Sequence, residues 1–184
     1  MGFLKETSYY TTHSRIRELR ENGYTLSKRH EGFVKTVECR ENGHLCCDES
    51  SDPDGPFCFF YAMFFKKVLL RFPLSIFENK LLTELNVALS QLHPNSWAFI
   101  CAFTILCSQL GIFPNVEVFQ YFFEAKHSGR QLWVSLNGAP WRALFTLFLS
   151  LYKIFKGKFL KIRASTRDLT LLHDRFQSVW CQEC

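Results

Sequence analysis

The chain has 184 residues, a formal net charge of +5 and an apolar fraction of 47%, and 20 of its residues are Phe. This composition excludes an intrinsically disordered protein and predicts one domain with a single hydrophobic core. The N-terminus lacks the apolar segment of a secretory signal, so we interpret the eight cysteines as reduced thiols of a nuclear or cytoplasmic protein. No apolar stretch reaches the roughly 18 residues that a membrane-spanning helix needs.

Charge is unevenly distributed along the sequence. Residues 39–54 contain five acidic residues and one basic residue, whereas residues 126–175 contain ten basic residues and two acidic ones. Such an asymmetry predicts either a polyanionic partner for the C-terminal half or a solvated basic face of the folded domain.

The N-terminal part, residues 1–56, is predicted to be an appendage. Residues 14–22 have two apolar positions three apart among alternating charges, which is typical of a short surface helix. Residues 33–39 alternate and contain β-branched side chains, which favours a strand. Residues 48–56 are acidic and contain two prolines, which predicts an exposed loop and a boundary with the main body.

The central part, residues 57–164, is predicted to be a helical core domain. Residues 57–70 are apolar over a length that favours a buried helix. Ser75 and Glu78 are spaced as a capping box, which predicts the start of an amphipathic helix.

Residues 71–111 are the stretch around which we expect the domain to be organised. A polar connection at Gln91 and His93 precedes Pro94, a favourable first residue for a helix that is apolar on nearly every side and ends at Gly111. Asn115 then predicts the N-cap of a further helix, with Lys126 and His127 near its C-terminus.

Two strands are predicted near residues 131–136 and 158–164, where apolar and polar side chains alternate. A helix from Pro140 to residue 155 lies between them, so the strands are expected to form a two-stranded β element with a crossover helix. The predicted fold class is therefore mainly α (α+β): a compact domain of about five helices with this small β element. Residues 165–184 are a weakly patterned tail.

Cysteine and histidine residues provide weak candidates for a metal site. A Cys-x-x-Cys pair, Cys181 and Cys184, has the spacing of a zinc half-site. The cluster of Cys39, His44, Cys46 and Cys47 does not have the spacing of a common zinc finger, so reduced structural thiols are the alternative. We find no catalytic motif, and we expect no cofactor, no small-molecule substrate and no enzymatic activity.

A basic stretch with interleaved aromatic residues is the strongest functional signal. Its basic side chains could neutralise phosphates and its rings could stack on bases, which predicts a site for RNA or DNA. Alternatively, the aromatic residues belong to the core and the basic residues form its solvated rim. The candidate residues are Lys153, Lys156, Lys158, Lys161, Arg163 and Arg167.

Together, several short segments of the chain resemble the plant "putative gypsy-type transposon" domain family, over roughly residues 14–163. The residues that carry the resemblance are 71–75, 91–97, 110–112, 114, 122–123, 126, 133–136, 144–145 and 153–159. The resemblance implies a plant host and the gag-like N-terminal region of a retrotransposon polyprotein, in a family labelled transposase by association with the element. It brings no catalytic residues with it.

Two classes of function follow from the residues and the resemblance together. The first is a gag-like structural or nucleic-acid-associated module that self-associates or holds element RNA. The second is a host-adapted protein-interaction or regulatory module that binds no nucleic acid. A truncated or degenerate copy without present function is a further alternative, because the charged helical region that often follows this domain is missing from the sequence.

Overall fold

The computed structural model describes residues 9, 11–21, 34–39, 58–66, 70, 74–127, 133–145 and 158–164. Five helices lie in this part of the chain: α1 (His13–Glu21), α2 (Ala62–Lys66), α3 (Ile76–Leu85), α4 (Pro94–Gln109) and α5 (Val116–Phe122). Five strands accompany them: β1 (Val34–Val37), β2 (Cys58–Tyr61), β3 (Phe123–His127), β4 (Val134–Gly138) and β5 (Phe159–Ala164).

The strands form two antiparallel sheets, so the predicted mainly α fold class is wrong. One sheet has three strands in the order β1-β5-β2, and the other is the ribbon of β3 and β4. The strands near residues 131–136 and 158–164 both exist, but they belong to different sheets and do not pair with each other. The described part of the chain is a mixed α+β structure rather than a helical domain with one small β element.

Residues 57–70 illustrate why the strand content was underestimated. A continuous apolar run has no period that distinguishes a buried helix from a buried strand. In the structure, Cys58–Tyr61 pairs with β5 and the chain turns into the short helix Ala62–Lys66 at once. The aromatic residues at positions 59–61 suit a strand, and β5 supplies the backbone hydrogen bonds that the sequence alone could not reveal.

The helix that begins at Asn115 ends earlier than the sequence suggested. Asn115 Oδ1 accepts a hydrogen bond from the Val118 N–H at 3.0 Å, which confirms the predicted N-cap. At Phe123, however, the backbone becomes extended and the chain continues as β3, where Lys126 and His127 pair with residues of β4. Pairing with β4 therefore replaces the last helical turn.

The helix predicted from Pro140 is absent where it can be checked, because residues 140–145 form a turn and a bend, and residues 146–157 lie outside the described part. The division of the chain at residue 56 stays a prediction. Strand β1, which precedes that position, pairs with β5, which follows it.

The core contains interlocking aromatic side chains from three helices. The ring of Phe77 in α3 lies 5.6 Å from that of Phe103 in α4 and 5.8 Å from that of Phe119 in α5. Phe103 and Phe119 are 5.2 Å apart, in an edge-to-face arrangement that aromatic pairs prefer. The capping box at Ser75 and Glu78 is formed as predicted and fixes the start of α3 beside this cluster.

The connection before α4 is attached to the outer edge of β4. The Val134 N–H donates to the Gln91 carbonyl at 2.9 Å, and the His93 N–H donates to the Val134 carbonyl at 2.8 Å. The hydroxyl of Ser96 accepts a hydrogen bond from the Leu136 N–H at 2.8 Å, and Ser96 is fully buried. Residues 91–96 thus satisfy backbone groups that a β-strand edge would otherwise leave unpaired.

We predict that Ser96→Ala destabilises the protein by about 1–3 kcal/mol, because it leaves the buried N–H of Leu136 without an acceptor. The free energy of unfolding, measured by urea denaturation, tests this expectation. Ser108→Ala, at an exposed position of the same helix, is the matched control and should leave stability nearly unchanged. Equal stability of the two variants would contradict the structural role of the Ser96 hydroxyl.

Trp97→Ala should cost about 3–5 kcal/mol and abolish cooperative thermal unfolding, since it removes a large buried side chain. Trp97 is fully buried, its ring centroid lies 5.8 Å from that of Phe64, and its indole N–H donates to the Leu89 carbonyl. Trp141→Ala is the control, because Trp141 is fully exposed. Differential scanning calorimetry checks both variants; a Trp97→Ala variant that melts like the parent protein would refute this role.

Candidate functional site

The predicted nucleic-acid-binding residues differ in solvent exposure. Lys158 precedes β5 and is exposed, Arg163 is partly buried, and Lys161 is 1% exposed. Lys153, Lys156 and Arg167 lie outside the described residues. The prediction of a nucleic-acid site therefore has one exposed cation among the three candidates that the structure describes.

Lys161 is buried because β5 is the middle strand of its sheet. Its direct neighbours across the sheet are Phe59 of β2 and Val37 of β1. The rings of Phe59 and Phe159, on the same face, meet edge to face at 5.2 Å. The alternation along β5 had suggested an apolar face and a basic face, but the aromatic residues of β2 and β5 make the basic face a second packed layer.

Ion pairs connect the exposed charges of α3 and α5. Lys80 Nζ lies 3.2 Å from Glu117 Oε1 and 3.6 Å from Glu84 Oε1. Its contact with Glu117 raises the pKa of Lys80, while the backbone at the start of α5 and then Lys80 lower the pKa of Glu117. Because these groups are solvated, the pairs contribute little to stability and hold no buried charge for chemistry.

The thiols of α4 have properties that disfavour nucleophilic chemistry. Burial, and then the nearby Glu78 carboxylate, raise the pKa of Cys101 to about 12. Burial also raises the pKa of Cys107. A nucleophilic cysteine needs the opposite shift. Among the described residues, no three His, Cys, Asp or Glu side chains come together as metal ligands, and the proposed pair Cys181 and Cys184 lies outside them.

An exposed apolar loop follows α4, and sequence analysis did not identify it as a surface feature. Leu110, Ile112 and Phe113 are all exposed, Phe113 to 95%. Gly111 has φ +67, its N–H donates to the Ser108 carbonyl, and the Ile112 N–H donates to the Cys107 carbonyl. These bonds form the Schellman motif, in which glycine adopts a left-handed conformation that other residues enter at a cost.

The signal for this loop was present in the sequence. Three large apolar residues lie within four positions between a glycine-terminated helix and the Asn115 N-cap, where no helix face is available to bury them. Because both flanking helix ends are fixed by hydrogen bonds, the loop presents these side chains from a defined backbone. We call residues 110–113 the apolar loop.

A second exposed cluster lies beside the ribbon of β3 and β4. The guanidinium of Arg142 stands 4.6 Å from the ring centroid of Tyr121, and its Nη2 lies 3.8 Å from Glu124 Oε1. The neighbouring Trp141 is fully exposed and has φ 62, an uncommon conformation for a residue with a side chain. Tryptophan, tyrosine and arginine are the residue types most enriched at energetically important protein contacts.

In the parts of the chain that the structure describes, no helix is both long enough and apolar enough to cross a bilayer.

A known protein family matches the central segment of the chain. Neither a curated protein nor a solved structure matches the sequence. The matching segment runs from β2 through α4 and α5 to the end of β3, so it includes the connection at residues 91–97 and the apolar loop. Residues 59–127 of this chain match the family described as "Putative gypsy type transposon", which confirms the resemblance to that family over this segment.

Proposed function

We propose that this chain is a retrotransposon-derived, non-enzymatic structural module of the gag-like type, which self-associates and holds element RNA or DNA in the nucleus or cytoplasm of a plant host. The family match supports the origin in a gypsy-type element. The apolar loop is the observation that carries the structural role.

Apolar residues exposed in the described part of the chain are concentrated in the matched segment. Seven of the nine large apolar side chains that remain exposed lie between Ile76 and Tyr121. Single exposed apolar residues are ordinary, but three within one rigid four-residue loop are not, because covering them on a partner removes unfavourable hydration. The loop is therefore suited to a protein contact, which a self-assembling module requires.

Support for nucleic-acid binding comes from the charge of the C-terminal half. Lys158 is exposed at the start of β5, and residues 126–175 contain ten basic residues against two acidic ones. Phosphate contacts by such residues would be non-specific in sequence and sensitive to salt.

A host-adapted protein-interaction module is the second candidate, and the same apolar loop favours it. An apolar loop can bind a protein partner without any nucleic acid, and the buried position of Lys161 reduces the basic surface that sequence analysis assigned to β5. The two candidates differ in their response to RNA and salt.

We expect the parent protein to form larger species when single-stranded RNA is added at low salt, measured by light scattering. Phe113→Asp should reduce this assembly several-fold without loss of stability, because Phe113 is 95% exposed. Gln120→Glu adds the same charge at an exposed polar position and is the matched control. A parent protein that stays monomeric at both low and high salt, with and without RNA, would overturn the gag-like proposal and favour the second candidate.

Lys158→Gln should weaken binding to single-stranded RNA and lower the slope of log affinity against log salt by about 1, as expected for one lost phosphate contact. Lys80→Gln removes the same charge on α3, where the lysine is already paired with Glu117, and should have a smaller effect. Fluorescence anisotropy at two salt concentrations measures both. Equal losses would indicate general attraction instead of a contact at Lys158.

A further inference from the structure

One edge of strand β3 has no partner strand in the part of the chain that the structure describes. Within the described residues β3 pairs only with β4, and its side chains from Glu124 to His127 are exposed. The other strand of the ribbon differs, because residues 91–96 cover the outer edge of β4 through the hydrogen bonds at Val134 and Leu136. Among the described residues, the ribbon is therefore covered on the β4 side and uncovered on the β3 side.

The register shows which backbone groups point outward from β3. The Ala139 N–H donates to the Phe122 carbonyl, and the antiparallel register continues with Phe123 opposite Gly138. Hydrogen bonding alternates along such a ladder, so Glu124 and Lys126 bond to β4 while Ala125 and His127 direct their N–H and C=O groups outward. The Phe123 N–H also points away from β4 and donates to the Phe119 carbonyl.

We propose that this edge pairs with β3 of a second copy of the chain, antiparallel and about a two-fold axis at Ala125. The paired strands would join two ribbons into a four-stranded sheet. This inference rests on the proposed self-association and names a second contact surface for it, in addition to the apolar loop.

The charges of β3 are self-complementary in this register and in no neighbouring one. With Ala125 opposite Ala125 of the second copy, Glu124 lies opposite Lys126 of the second copy, and the symmetry repeats this pair. Outward-pointing residues alternate along each strand. The two strands can therefore shift against each other only in steps of two residues if these groups are still to meet. The adjacent registers place Glu124 opposite Glu124 of the second copy, or Lys126 opposite Lys126 of the second copy, and like charges directly opposite are unfavourable.

The same charges disfavour pairing with an arbitrary strand. Exposed strand edges in soluble proteins are protected by short length and by charged side chains, particularly lysine. A five-residue edge is far smaller than the roughly 800 Å² per partner of a standard stable interface, so this contact is expected to be weak by itself. Exposed Tyr121 lies under the guanidinium of Arg142, which contacts Glu124, and is placed to add apolar area at each end of the paired strands.

The test uses charge reversal in the full chain, with sedimentation velocity over a concentration series. Lys126→Glu and Glu124→Lys should each weaken dimerisation at least ten-fold, whereas the double variant, which exchanges the two charges, should restore it. Lys126→Glu leaves the contact between Arg142 and Glu124 intact, so it is the cleaner of the single variants. Circular dichroism and thermal unfolding confirm that each variant is folded.

Mixing the two single variants gives a further diagnostic result. In a homodimer of either variant, like charges lie opposite each other. In a heterodimer, the acidic β3 edge of Lys126→Glu is complementary to the basic β3 edge of Glu124→Lys. A heterodimer that is stronger than either homodimer supports the β3 interface. Single variants that dimerise like the parent, or a double variant that stays monomeric, overturn it.

The outcomes separate this inference from the proposed function. RNA-dependent assembly that is unaffected by the charge reversals refutes the β3 interface and leaves the gag-like module standing. Charge-dependent dimers that do not respond to RNA support the interface and overturn the gag-like proposal. A parent protein that is monomeric under every condition overturns both.

Discussion

Attachment of residues 91–96 to the edge of β4 is the constraint on which the rest of the described structure depends. A single buried hydroxyl, that of Ser96, accepts from the Leu136 N–H across 40 residues of sequence, and Val134 is held by Gln91 and His93. These bonds fix the first turn of α4 against the ribbon. Trp97 follows directly, and its indole N–H donates to the Leu89 carbonyl while its ring packs against Phe64. The residues that begin α4 therefore also hold the distant strand β4.

This arrangement gives the most recognisable part of the sequence a structural role. Three polar side chains of this connection are engaged with backbone N–H groups: His93 accepts from Asn95, Gln91 accepts from Ala88, and Ser96 accepts from Leu136. In the described part of the chain, the apolar loop and the β3 edge that faces away from β4 lie on the same scaffold. The matched segment ends at His127, yet the β4 strand that completes the ribbon follows it, so the structural unit is longer than the match.

Strand β5 is a case in which the pattern of the sequence predicted the strand but not its burial. Alternation correctly indicated a strand with Lys161 and Arg163 on one face, and a basic face on a strand is usually solvated. Here β5 is the central strand, and Phe59 and Phe159 share that face with Lys161, so the side chain is buried. Exposure depends on which strands lie on either side, and strand order is a property of contacts between residues far apart in sequence. The strand that pairs with Cys58–Tyr61 is also distant in sequence, so residues 57–70 appeared to be one helix.

The sequence by itself determined the features that arise within a few residues: the capping box at Ser75, the N-cap at Asn115, the start of α4 at Pro94 and its end at Gly111. These depend on hydrogen bonds between near neighbours and on glycine's access to left-handed backbone, so local chemistry suffices. Only the tertiary structure decided the two antiparallel sheets, the burial of Lys161 and the β3 edge that no described strand covers. Each of these depends on which distant segment supplies, or fails to supply, a backbone partner or a covering side chain.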